Sequence, residues 1–436
     1  MNIFNTKLIR LAAVVLFGVS LLSCNSDYEY SCLYTELPFE MEWVYGPQIP
    51  PRSVSIEDFG GVGDGVNLNT SCFAEAVDVL AQNGGGRIIV PGGIWLTGPI
   101  TLKDSVELHV TKDAVLLSCD DMSGKAMINI IDASNVAVTG EGIIDGNAHG
   151  WGSQAAHLVY IEDSEAVMLS GCVFRNASGV TVSSVRSKDL IFSDIAVKSF
   201  DETGDDALIF DLCRNVLLLD SSIEVGADAV CLRSVENLIV DNCNLMHSNA
   251  GFAADADMTG VIQNVSICGS RVLSSNYGFK FISMRGSGAV VDGLYIKDVV
   301  MMDIANAPLF FDLYDKPKAT LDLEYVPAGE ATPTFRNIHI SNMVCSDAAS
   351  AMYFGGVPEK NIENIEIKDC SIVSAQGADL RYSSGIILDN IAMSQKDSLA
   401  YSLANCRNVT MHGCTDSHGG VVPVVYQHNS ENVVID

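Results

Sequence analysis

One motif returns along most of this chain: an Asn, or another small or polar residue, followed by a short β-forming run. It reads Asn135-Val-Ala-Val, Ala166-Val-Met-Leu, Asp189-Leu-Ile-Phe, Asn215-Val-Leu-Leu-Leu, Asn237-Leu-Ile-Val, Asn264-Val-Ser-Ile, Gly293-Leu-Tyr-Ile, Asn337-Ile-His-Ile, Asn364-Ile-Glu-Ile, Asn390-Ile-Ala-Met, Asn408-Val-Thr-Met and Asn432-Val-Val-Ile. From 135 to 293 the starts lie 31, 23, 26, 22, 27 and 29 residues apart. Self-similarity at that period marks a stacked repeat, in which each unit buries its apolar face only against its neighbours. A β-sandwich also has turns at short, regular spacing, but it has no reason to open every third strand with the same residue. The repeat therefore predicts an all-β chain wound as a single-stranded, right-handed parallel β-helix.

A helical stretch over Ala74–Leu80, bracketed by Gly60-Gly61-Val62-Gly63-Asp64-Gly65 and Gly84-Gly85-Gly86, is expected to cap the first coil. An uncapped solenoid end would expose unpaired strand edges. The 436 residues leave room for a sizeable core, and 48% hydrophobic against 18% charged residues argues against disorder.

With 54 acidic against 25 basic residues and a formal charge of -29, most of the surface repels phosphate backbones, so nucleic acid is excluded as a partner. The 13 cysteines include no CxxC pair and no paired Cys/His spacing, which gives no support to a zinc site. They are expected to be small buried thiols. No metal or other cofactor is called for.

At the N-terminus, Lys7 and Arg10 precede the apolar run Leu11–Leu22, which suits a signal peptide and is too short for a mature membrane span. The run ends Leu21-Leu22-Ser23-Cys24, which resembles a bacterial lipoprotein signal with Cys24 as the lipidated residue. The expected organisation is a signal peptide over 1–23, a proline-bearing tether over 24–52 and a β-helix over 53–436. Asp27 and Glu29 behind the cysteine are similar to surface-export signals of some Gram-negative lipoproteins. The expected location is the outer membrane of such a bacterium, on its surface or periplasmic side, with the lipid as the only membrane contact.

Acidic clusters stand out at Asp201-Glu202-Thr203-Gly204-Asp205-Asp206 and at Gly226-Ala227-Asp228. Asp206 and Asp228 are 22 residues apart, one coil, so they should stack on one face. Carboxyls so placed repel and raise one pKa, or hold a water between them, and both outcomes serve glycoside hydrolysis. Solvated loop acids and a cation site are the alternatives.

Asp58-Phe59-Gly60 with Gly63-Asp64-Gly65, Val90-Pro91-Gly92-Gly93, Trp95-Leu96-Thr97-Gly98-Pro99, Gly140-Glu141-Gly142 and Ile144-Asp145-Gly146 resemble the opening coils of family 28 glycoside hydrolases, the polygalacturonases and their relatives. The likeness runs over roughly residues 54–390. It implies hydrolysis of a galacturonosyl or rhamnogalacturonan-type linkage in pectic poly- or oligosaccharide, by direct attack of water with inversion. It also implies a water-handling pair, Asp206 and Asp228, and places Ala227 where the family keeps its general acid and Ala250 where it keeps a His. Asp205 or Glu202 is then the candidate for a relocated acid. Lys280 falls on the first charge of the family's Arg-Ile-Lys. Arg233, Lys280 and Arg285 are candidate cations for an anionic sugar, and Asn249, Asp257 and Tyr314 candidates for hydrogen bonding or stacking. The other reading is a catalytically silent relative that binds pectic glycans at the cell surface.

Overall fold

The computed structural model describes residues 31–119, 126–148, 157–199, 205–314, 321–397, 399–416 and 424–436. The chain divides into two compact units, 1–36 and 37–436. In the first, the described residues form one helical turn, Ser31–Tyr34. Cys24 and Glu202 lie outside the described residues.

Within the second unit, among the described residues, 34 strands join one continuous sheet. A representative coil runs Cys213–Leu219, Ser222–Val225 and Val230–Leu232, and the next runs Val235–Asp241, Asn244–Met246 and Ala250–Ala254. Each strand pairs in parallel with its counterpart one coil on, so Val216 faces Leu238 and Leu238 faces Val265. This is the parallel β-helix read from the repeat.

The physical cause of the repeat is a backbone corner. The recurring position has φ of 55° at Asn215, 62° at Asn237, 56° at Asn264 and 79° at Gly293. Asn, Asp and Gly tolerate this left-handed region best. The asparagines also satisfy one another: Asn264 Nδ2 donates to Asn237 Oδ1 and Asn237 Nδ2 to Asn215 Oδ1, both at 3.0 Å, while Asn215 donates to Asp189 at 2.9 Å. Asn390 belongs to a different corner. Its amide donates to Asp369, whereas the ladder passes from Asn364 to the position of Gly385 and on to Asn408 and Asn432.

Inward residues from Ile56 to Cys414 form one apolar core along the axis. Rings stack in register inside it, with Phe281–Phe311 centroids 5.3 Å apart and Phe311–Phe354 centroids 4.9 Å apart. The helix extends beyond its sequence bounds, over Thr70–Gln82, and buries Phe73, Ala76, Val77 and Leu80 against the first coils. Cys172, Cys213, Cys231, Cys243, Cys345, Cys370, Cys406 and Cys414 are buried free thiols. Residues 37–52, the part of the expected tether that falls in this unit, touch the solenoid: Gln48 N–H donates to Asn135 Oδ1 at 3.0 Å, and the rings of Phe39 and Tyr295 lie 5.9 Å apart.

Candidate active site

Three short strands, Leu208–Asp211, Val230–Leu232 and Ala250–Ala254, lie side by side in three successive coils. Leu208, Phe210, Val230, Leu232, Phe252 and Ala254 point into the core. Alternation then turns Ile209, Cys231 and Ala253 to the other side, in register with Lys280 of the next coil. Asp206 and Asp228 stand just ahead of their strands, Asp211 ends its strand, and Arg233 and Asp255 stand just behind theirs.

The structure joins Asp206 to Asp228 directly: the Asp228 N–H donates to Asp206 Oδ1 at 3.1 Å. Asn249 Nδ2 donates to Asp228 Oδ1 at 2.8 Å. Burial, then the charge of Asp228, pushes the Asp206 carboxyl up to about 6. Burial also raises Asp228, but the Lys280 ammonium and the Asn249 amide act against it. The two carboxyls thus separate chemically. Asp206 holds its proton to higher pH, while Asp228 faces the groups that favour its ionised form.

A third carboxyl, Asp255, was not picked out from the sequence. One oxygen each of Asp206 and Asp255 and the Cys231 sulfur all lie within 4.8 Å of one another, and the Cys231 thiol is 3.6 Å from Asp255 Oδ2. Burial, reinforced by Asp206 and Asp255, drives the thiol far above its ordinary range, so Cys231 acts here as a buried S–H. Among the described residues this is the group of acid and thiol side chains near enough to share a cation. The signal for Asp255 was in the strand pattern. Arg233 follows Cys231 by two residues as Asp255 follows Ala253, and Cys231 pairs with Ala253, so strand register carries Arg233 onto Asp255.

Of the remaining candidates, Arg233 is exposed, and it acts on Asp206 to lower its pKa. Asp205 is half-buried beside Asp206 in the chain. Asp257 is exposed in the turn after Ala254, two residues past the carboxyl that joins the cluster. Arg285 and Tyr314 come together with each other, the guanidinium 5.4 Å from the ring centroid. Arg285 also grips the nearly buried Glu359 through two bonds, Nε to Oε1 at 2.5 Å and Nη2 to Oε2 at 2.8 Å. That pairing neutralises the charge expected to meet a sugar.

Residues 86–381 match the sequence model of glycosyl hydrolases family 28. The chain is 25% identical to a probable polygalacturonase of Vitis vinifera over 369 residues, 74% of each chain. It is 19% identical to an exo-poly-alpha-D-galacturonosidase of Dickeya chrysanthemi, over 84% of this chain and 75% of that protein. Among solved structures, a hyperthermoactive exopolygalacturonase from Thermotoga maritima superposes with a TM-score of 0.66 at 20% identity, over 80% of this chain and 93% of the other.

Proposed function

The chain belongs to glycosyl hydrolases family 28, and from that premise we propose that its three-carboxyl face hydrolyses a glycosidic bond in pectic polysaccharide by direct attack of water. The observation that carries this is the convergence of Asp206, Asp228 and Asp255 beside Lys280 on one sheet edge, despite Ala227 at the family's acid position. A hydrolase of this class needs one carboxyl that still holds a proton and one that has lost it. Asp206, with a pKa raised to about 6, is the proton donor to the leaving sugar. Asp228, faced by Lys280 and Asn249, takes the proton of the attacking water. Asp255 and Asp206 lie too close for the roughly 6.5–9.5 Å that separates an inverting acid and base. Asp255 instead holds Asp206 in its protonated form by adding negative charge next to it.

The test is release of product from a panel of pectic oligosaccharides, with the anomer of the fresh product read by proton NMR. Inverted product from the unmodified chain, lost in Asp228→Asn, is expected. Absence of release across the panel would leave a glycan-binding relative in its place.

Anchoring to the outer membrane through Cys24 belongs to the same proposal and is supported by the Leu-Leu-Ser-Cys signal alone. Cys24→Ala should move the protein from the membrane to the soluble fraction, and unchanged fractionation would remove the anchor from the reading.

A further inference from the structure

The stretch expected to be a tether has, in its last part, a fixed course over the solenoid. Going back along the chain from Gln48, its contacts move steadily in one direction. Gln48 N–H bonds to Asn135. Gly46 sits against Met168, whose Cε would lie 3.2 Å from a Cβ at that position. The Lys188 ammonium, held above its ordinary value first by its bond to Glu165, also feels the charge of Glu42. Glu40, Met41 and Glu42 line a cleft with Arg214, Asn237 and Asn264. Finally the Phe39 ring meets Tyr295, which is stacked on His339 at 5.0 Å.

Among the described residues, the strands that carry the asparagine corner stack fifteen deep, from Ser53–Ser55 to Glu431–Ile435. Asn135 is in the fourth strand of that stack and Tyr295 in the tenth. Six strand spacings make about 29 Å, and the nine steps from Gln48 to Phe39 cover about 30 Å when extended. Residues 39–48 therefore run extended across the strands, along the axis.

The surface beneath them is made to be covered. In its outward column Met168 pairs with Ile191, Ile191 with Leu217 and Leu217 with Ile239. Their neighbours Leu190, Val216 and Leu238 face the axial core, so alternation sends Ile191, Leu217 and Ile239 outward. Yet these three are 0%, 0% and 3% exposed. Val44, between the Gly46 and Glu42 contacts, is 5% exposed, while Trp43 and Tyr45 on either side of it are 45% and 55% exposed. One apolar side chain thus closes onto an apolar outward stripe. Past Ile239 the same column continues as Ser266, Tyr295, His339 and Glu366, and the covering segment ends where the stripe ends.

We propose that residues 39–48 are a docked strap, which moves the attachment point of the membrane-anchored chain from the N-terminal cap to the flank of the solenoid, beside Tyr295. The inference rests on the Cys24 anchor proposed above. With the strap docked, the 13 steps from Cys24 to Leu37 span at most about 45 Å, whereas the 28 steps to Arg52 would span about 95 Å if all of them were free. The coils that carry Asp206, Asp228, Asp255 and Lys280 are among those the strap crosses. The carboxyl site is therefore held close to the attachment point.

The experiment asks which end of the solenoid lies nearer the membrane. The full chain, attached to vesicles with an acceptor dye at their headgroups, carries a donor dye on an azide-bearing residue. The donor replaces either Val66, in the loop before the capping helix, or Val434, in the last strand, both of them exposed. From the tenth strand the last is five steps away and the first is nine, so energy transfer at 434 is expected to equal or exceed that at 66. Val44→Asp sets a charge against the apolar stripe and should free the strap, lowering the 434-to-66 ratio at least about threefold and reversing the order.

Proteolysis of Cys24→Ala protein tests the strap without the membrane. A Glu-specific protease should cut after Glu40 and Glu42 at least about tenfold faster once Val44→Asp or Phe39→Ala is added, the scale of losing one buried apolar side chain. Neither residue belongs to the axial core, so an unchanged melting curve separates release of the strap from loss of the solenoid.

Stronger transfer at 66 than at 434 without Val44→Asp, or equal cleavage rates with and without the two strap substitutions, would overturn the proposal. If Cys24→Ala leaves membrane recovery unchanged, the anchor falls and the flank attachment falls with it. Slow cleavage at Glu40 and Glu42 would in that case still uphold the docked strap, so the two failures are told apart.

Discussion

Two stretches of the same outward column make opposite surfaces. Around Asp206, Asp228 and Asp255 the sheet edge is crowded with carboxyls beside a buried thiol. Two coils on, around Phe310 and Tyr353, it is a stack of aromatic rings. The coil stacking continues through both, although the longer strands of the aromatic region carry register shifts between Ser275 and Tyr277 and between Ile304 and Phe310. The column of paired residues runs from Ile209 through Cys231 and Ala253 to Lys280, then to Phe310 and Tyr353. The inward neighbours are alike as well, with Phe252 on Phe279 and Phe281 on Phe311. In a solenoid the core fixes only every second residue, so the outward positions change chemistry along the axis without disturbing the fold.

The largest expected effect comes from removing the base at the acidic end. Asp228→Asn should lower turnover by about 10²- to 10⁴-fold while leaving glycan affinity nearly intact. Steady-state rates and calorimetry on the same preparation check both halves. A loss of binding as large as the loss of rate would mean that Asp228 holds the sugar.

The pH dependence sharpens the assignment within the cluster. As donor, Asp206 is active while protonated, so its pKa of about 6 places a falling limb as pH rises through that value. The opposite limb, activity lost as pH falls through about 6, would return Asp206 to the water-activating role that the family resemblance implies. Ala227→Asp is a related probe. A carboxyl added next to Asp228 in the chain should push Asp206 further up and fail to raise turnover at neutral pH. A rise of about tenfold or more, comparable to the lower end of a general acid's contribution, would put the proton donor at 227.

The smallest effect is on stability. A carboxyl whose pKa is raised by folding stabilises the fold while protonated and costs stability as pH rises through the folded value. Asp206→Asn should therefore raise the unfolding free energy at pH 7–8 by on the order of 1–3 kcal/mol, read as a higher Tm, and change little near pH 4. Thermal scans at both pH values test this, and an equal shift at each would point to packing in place of charge. The same scans on Phe310→Leu should show no such pH contrast, because neither side chain titrates.

Much of this was legible because the cause is local. A left-handed corner at each coil favours Asn, Asp or Gly, although Ala166 also adopts it, so Asn215, Asn237 and Asn264 announced the fold and its register by residue type. The same spacing brought Asp206 and Asp228 together correctly. Asn390 shows the limit: it opens an equally apolar run, but its corner is the next one, over Asp369, because two corners of a coil accept the same residues.

What the sequence by itself determined is the period, and with it the parallel β-helix, the capping helix and the meeting of Asp206 with Asp228. The tertiary structure alone decided the roles of residues whose partners lie far along the chain. Arg285 carries the charge an anionic sugar would want, yet Glu359, 74 residues on, takes it. Asp255 and Asp257 are alike on paper, but the chain turns after Ala254, so the first stays in the carboxyl cluster and the second is carried into solvent. Corner chemistry is written into single residues, whereas pairing, burial and the pKa shifts that follow depend on which coil lies next to which.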